Sequence, residues 1–355
     1  MTPSPQVSIF GETVSADGAP AISKFPAFPV SWYLFGSISE LAAGPKSRDL
    51  FGQRLVAFRT TSGRLAVLDA RCSHLGTDLG CGRVVGEQLQ CPYHNWEYDV
   101  GGRCTRIPAG AEIPAFARQR SYPFAERHGQ LYVFNGRQAL FPLPFYAGVD
   151  PAELICSDPY EAIVDCPWFM IGANAFDAQH FNASHDRHML GEPAVDCPGP
   201  FSRRASARFA VKGSSLQDRL TRLLAGDEVS LSVTDYCGNM MLVTATFRRT
   251  RSYGLIVTMP LPEGRVLVRV MAMKRRSTSA IGRALLDRAS VAIRHKFITR
   301  FLSSDAMRLV GVRYNPSRMI AADGALVEYF QWLVAVSERC ASALSAGKTP
   351  NGAES

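Results

Sequence analysis

Several features are missing from this 355-residue chain, and each absence removes a class of function. No stretch approaches the ~20 uninterrupted apolar residues that a membrane-spanning helix needs. The opening Met1-Thr2-Pro3-Ser4-Pro5 has no basic segment followed by an apolar one, so export by a signal peptide is not expected. The nine cysteines show no disulfide framework, and a reducing cytoplasm is the expected location. Neither a glycine-rich flavin or nicotinamide fingerprint nor the four-Cys spacing of plant-type clusters occurs. The formal charge of +8 is spread thinly, and no basic helix interleaved with aromatics accompanies it. It reads as a solvated surface, with a docking face for an acidic redox partner as a possible addition, and excludes a dedicated nucleic-acid protein.

What is present is chemically specific. Cys72-Ser73-His74 is followed, after sixteen intervening residues, by Cys91-Pro92-Tyr93-His94. Two thiolates and two imidazoles at this spacing are what a Rieske [2Fe–2S] centre needs, one iron taking both sulfurs and the other both nitrogens. A single tetrahedral zinc could use the same four donors. Zinc knuckles sit in small modules, however, whereas these half-sites lie in loops between the strand-like runs 64–68 and 96–100. Cys81 and Cys104 have no matching His and read as spectators.

At this length two domains are expected, in an α+β chain. Residues 1–27 and 346–355 read as flexible ends by composition. Residues 28–140 alternate short apolar strands with Gly-bearing turns, an all-β pattern. Phe141-Pro142-Leu143-Pro144 reads as a rigid linker opening a second domain over 141–345. There, strands recur between 203 and 273, while 280–312 and 326–344 read as helices, giving an antiparallel sheet with helices on one side.

A second constellation lies where that domain begins: Asn174, Asp177, His180 and His185, in the pattern N-x2-D-x2-H-x4-H. On a helix the first three share one face. His185 falls about 140° further round, so both imidazoles face one metal only if the helix ends or distorts between them. Asn182 and Ser184 favour such a break. Two His and a distant carboxylate form the facial triad of non-heme Fe(II) oxygenases.

Residues 30–140 resemble the Rieske domain of the Rieske non-heme iron oxygenases, from Val30-Ser31-Trp32-Tyr33 through Cys91-Pro92-Tyr93-His94-Asn95-Trp96 to Gly101-Gly102-Arg103-Cys104. Asn95 stands where the family has Gly, and Asn tolerates the positive φ such a loop needs better than most residues. The resemblance extends to the N-x2-D-x2-H-x4-H motif. It implies a helix-grip-like catalytic domain, with Cys72, His74, Cys91 and His94 on the cluster and His180 and His185 on mononuclear iron. It further implies a bridging role for Asp177 toward the cluster of a neighbouring subunit, a supporting role for Asn174, and a head-to-tail homotrimer. The third iron ligand is expected at Asp305 on a long helix, with Asp287 and Glu328 as fallbacks. His188 has the wrong spacing for the motif, and His128 and His295 have no supporting pattern.

The implied activity is O2 activation by a terminal oxygenase, with electrons from an external ferredoxin or NAD(P)H-dependent reductase. Leu, Val, Met and Phe around 203–273 and 289–307 suggest an apolar aromatic or polycyclic substrate, handled by hydroxylation or oxidative cyclisation. The string from Phe176 to Arg187 is similar to single-component oxygenases of secondary metabolism, including an arylamine N-oxygenase and prodigiosin-type cyclases. N-oxygenation is therefore the alternative, and a pure Rieske electron carrier the non-enzyme alternative.

Overall fold

A computed structural model describes residues 7–9, 12–14, 18–110, 112–177, 179–180, 187–211, 222–223 and 226–346. The chain divides into two compact units, the first built on Val30–Leu143 and the second on Pro144–Ser342 together with the first 29 residues.

In the first unit, Lys46–Leu50, Gln53–Arg59 and Leu65–Asp69 form one antiparallel sheet, and Trp32–Ser37, Gln130–Phe134 and Phe124–Arg127 another. A small four-stranded sheet joins Arg83–Val85, Gln88–Gln90, Glu97–Tyr98 and Cys104–Arg106. The hairpins close on two-residue turns, Phe51-Gly52 and His128-Gly129, in which both residues have positive φ. That backbone twist suits the right-handed twist of paired strands. Val56, Phe58, Leu68, Leu79, Leu89, Trp96 and Tyr98 pack into one core that runs directly into Cys72 and Cys91. The core thus anchors the sulfur end of both half-sites.

The second unit holds one nine-stranded antiparallel sheet. Its strands are β1 (Leu154–Cys156), β2 (Tyr160–Val164), β3 (Arg187–Met189), β4 (Ala194–Gly199), β5 (Ser202–Val211), β6 (Glu228–Tyr236), β7 (Met240–Phe247), β8 (Arg251–Pro260) and β9 (Val266–Arg275). The order is β1-β9-β8-β7-β6-β5-β3, with β2 also on β9 and β4 also on β5. Helices that accompany it among the described residues include α1 (Phe169–Ala173), α2 (Asp287–Leu309), preceded by a π-turn at Gly282–Leu286, and α3 (Gly324–Ala346). Buried α3 residues Val327, Phe330, Leu333, Val336 and Cys340 recur at three- and four-residue spacing, the stripe of a helix packed on one side.

Order in this unit begins before the boundary expected at residue 28. Phe25 stacks on Phe169, centroids 4.0 Å apart, and meets Tyr314 and Phe330 edge-on. Trp168 donates to the Pro26 carbonyl and Tyr314 to that of Pro20. Two aromatic anchors thus hold residues 18–29, whose composition alone reads as a tail.

Candidate metal centres

The two cluster half-sites are built alike. In the first, the Cys72 amide donates to the Thr77 carbonyl at 2.9 Å and Gly76 donates to the Cys72 carbonyl at 2.8 Å. In the second, Cys91 donates to Trp96 at 2.8 Å and Asn95 donates to Cys91 at 3.1 Å. Gly76 and Asn95 occupy equivalent places, four residues after the Cys, with φ of 75° and 56°. The turn itself demands the left-handed region, which Gly enters freely and Asn at small cost.

The donor set is sorted by element. Cys72 and Cys91 are buried, 4% and 2% exposed, while His74 and His94 are exposed with ring centroids 4.7 Å apart. His74 stacks flat on Trp96, 4.5 Å between centroids. Tyr98 Oη lies 3.1 Å from Cys72 Sγ and 3.0 Å from Ser73 Oγ. Burial pushes the Cys72 thiol up and the Tyr98 hydroxyl pulls it back. Sulfurs inside and nitrogens outside fit two irons with two protein ligands each. The residues therefore fit the two-iron group.

Tyr98 and Trp96 were not singled out by motif reading. The signal was available: both stand just after Cys91-Pro92-Tyr93-His94, where the chain returns to the core beneath the sulfurs.

In the second unit the helix expected through His180 stops early. α1 ends at Ala173, Asn174–Phe176 form a turn, and 179–180 are again helical. Asp177 lies at the break, where its Oδ1 accepts from the His180 backbone N–H at 3.0 Å. Its carboxylate thus fixes the His180 main chain, as a helix-capping carboxylate does. The turn still brings Asn174 and His180 together. Asn174 Nδ2 lies 3.1 Å from His180 Nε2 and 3.4 Å from Asp305 Oδ2, and His180 Nε2 lies 3.5 Å from Asp305 Oδ1. Arg308 Nη1 donates to Asp305 Oδ1 at 3.4 Å. His185 lies outside the described residues, and only the backbone of His188 is described, in β3.

The three carboxylates considered for the third ligand part company. Asp287 accepts from Lys274 Nζ at 2.5 Å and from the Ser277 hydroxyl at 2.6 Å, which hold its carboxyl down at about 2. Glu328 is buried against Arg203 at 3.1 Å. Of the three, Asp305 is the one that meets His180. One imidazole and one carboxylate, with a second imidazole in the same motif, are donors suited to Fe(II) with positions left open.

Beside this cluster Ala175, Phe176, Met189, Val195, Phe209 and Val233 line a narrow apolar crevice of about 40 Å³. The carboxyl of Asp235, fully buried, accepts from Tyr329 Oη at 2.6 Å and from the Gly238 N–H at 2.9 Å. Burial pushes it up to about 7.

Residues 31–117 match the Rieske [2Fe-2S] domain. The oxygenase component of 3-ketosteroid-9-alpha-monooxygenase from Rhodococcus rhodochrous is 41% identical over 112 residues, 31% of this chain and 29% of that protein. Aminopyrrolnitrin oxygenase PrnD of Pseudomonas fluorescens is 39% identical over 128 residues, 34% of this chain and 35% of its own length. The chain thus spans about a third of the curated relatives it matches. Dicamba monooxygenase bound to dicamba superposes with a TM-score of 0.62 at 21% identity, over 90% of this chain and 99% of that one, a likeness of fold.

Proposed function

We propose that this chain, a member of the Rieske non-heme iron oxygenases, is the terminal oxygenase component of a multicomponent system acting on an apolar aromatic or polycyclic molecule. The observation that carries this reading is the meeting of His180, Asp305 and Asn174 in a chain that also holds the two cluster loops. Cys72, Cys91, His74 and His94 would hold the cluster, and His180, His185 and Asp305 the mononuclear iron. When bound, the cluster supplies electrons singly and the iron a site for O2 reduction.

The remaining roles belong to the chain's own side chains. Asp177 holds the His180 backbone and is the proposed bridge toward the cluster of a neighbouring subunit in a homotrimer. Asn174 orients the His180 ring and Asp305 together, as groups behind metal ligands do. Exposed Ile281, Leu285, Leu286 and Ile293 offer apolar surface for subunit contact. The narrow apolar crevice beside Phe176 supports an apolar substrate. Hydroxylation or oxidative cyclisation in natural-product tailoring is the first reading, and N-oxygenation of an arylamine the second. Among the described residues no helix is long and apolar enough to cross a membrane, and all nine cysteines are free. The cytoplasm is the proposed location, with a ferredoxin or NAD(P)H-dependent reductase as electron donor.

The test is iron and acid-labile sulfide on anaerobically purified protein, with an EPR spectrum after dithionite reduction. About three iron to two sulfide per chain with a Rieske signal is expected. Asp305→Ala should lower this to about two iron, abolish O2 consumption and leave the signal unchanged. Two iron in the unsubstituted protein after Fe(II) addition would leave an electron carrier instead.

A further inference from the structure

A second feature lies on α2, upstream of Asp305 on the same helix. Ala292, His295, Lys296, Thr299 and Arg300, with Tyr160 at the start of β2, line a solvent-open hollow of about 410 Å³. Helical spacing explains the grouping: Ala292, Lys296 and Arg300 form one ridge, and His295 and Thr299 the ridge beside it. The short Ala292 side chain leaves the space that the longer ones surround.

Three observations set this hollow apart from an ordinary polar surface. His295 Nε2 and Thr299 Oγ1 are buried and have no hydrogen-bond partner among the described residues. Folded proteins pair such groups, so a buried imidazole nitrogen and hydroxyl one helical turn apart both lack a ligand atom. Lys296 and Arg300 are exposed, and neither forms an ion pair among the described residues. Among the described residues no carboxylate lines the hollow. An ammonium, a guanidinium fork, an imidazole and the Thr299 and Tyr160 hydroxyls form a donor-rich wall without an acceptor of negative charge.

We propose that this hollow binds a small oxyanion, a phosphate or a carboxylate. The Arg300 fork suits the two oxygens of such a group, and Lys296 adds a point charge. Thr299 and His295, whose polar atoms are buried beside the hollow, would turn toward the anion and gain the hydrogen bonds they lack. The proposal needs no metal in the chain, so its failure leaves the oxygenase reading untouched.

Calorimetric titration of the full-length protein at low ionic strength tests it, first with inorganic phosphate and then with succinate, which separates the two anion classes. Saturable binding of one of them, about one per chain, is expected, with affinity reduced about tenfold or more in Lys296→Ala/Arg300→Ala. Both side chains are exposed, so the double variant should melt as the unsubstituted protein does. Thr299→Val, which keeps the shape and removes the hydroxyl, should weaken binding several-fold. Arg248→Ala/Arg249→Ala, on the turn between β7 and β8, should leave it unchanged. Absence of binding by both anions would overturn the proposal. So would an equal loss in the Arg248/Arg249 variant, which would mark a diffuse effect of net charge.

Discussion

At the cluster, the Tyr98 hydroxyl sits 3.1 Å from Cys72 Sγ, and a hydrogen bond to a ligand sulfur stabilises the more negative, reduced state. Tyr98→Phe keeps the ring in the core and removes that bond. The midpoint potential should fall by on the order of 50 mV, read by a spectroelectrochemical titration. An unchanged potential would mean that the hydroxyl does not tune the centre. The proposed ligand residues stand out in the sequence because Cys-x-His and Cys-x-x-His are local spacings, closed by hydrogen bonds within six residues. The positive φ of Asn95 was legible for the same reason. Tyr98 was not, since nothing in a Glu-Tyr-Asp string says which face of the strand holds the sulfur.

Among the elements, α3 is tied to β5 through a buried ion pair, Glu328 with Arg203, both about 5% exposed or less. Phe176 lies under the same guanidinium, 5.8 Å from it. Removing one buried partner leaves the other charge uncompensated. Glu328→Ala should therefore cost about 3–5 kcal/mol in urea denaturation, and Arg203→Met/Glu328→Leu should recover most of that loss. Equal losses in the single and double variants would instead assign the effect to packing. Element boundaries show where periodicity succeeds. Helix was expected over 326–344 and spans Gly324–Ala346. The 280–312 region begins with a π-turn and leaves Ile281, Leu285, Leu286 and Ile293 exposed, because apolar spacing alone does not say what covers a face. The stop of α1 at Ala173 likewise follows from where Asp177 and Asn174 find partners.

For the molecule as a whole, Asp235 makes stability depend on pH. Burial lifts its carboxyl from an ordinary value near 4 to about 7, so the folded state holds a proton that the unfolded chain releases. The stability it contributes is complete below about pH 4, declines as pH rises toward 7, and is constant above. Asp235→Asn, which keeps the size and removes the charge, should flatten this slope. Thermal or chemical denaturation at about pH 5 and about pH 8 should show the unsubstituted protein losing about 3 kcal/mol relative to the variant. Parallel slopes would show that the carboxyl titrates normally.

The sequence by itself determined the spacing of the proposed cluster donors, the all-β character of the stretch that carries them, and the His and Asn of the second motif. These rest on short spacings and alternation, which act between near neighbours. Only the tertiary structure decided which carboxylate joins His180. Asp287, Asp305 and Glu328 are alike as residues, and their fates diverge because Lys274 and Arg203 engage two of them. Asp305 reaches Asn174 across 131 residues, a distance closed by the packing of α2 on the sheet and encoded in no local pattern.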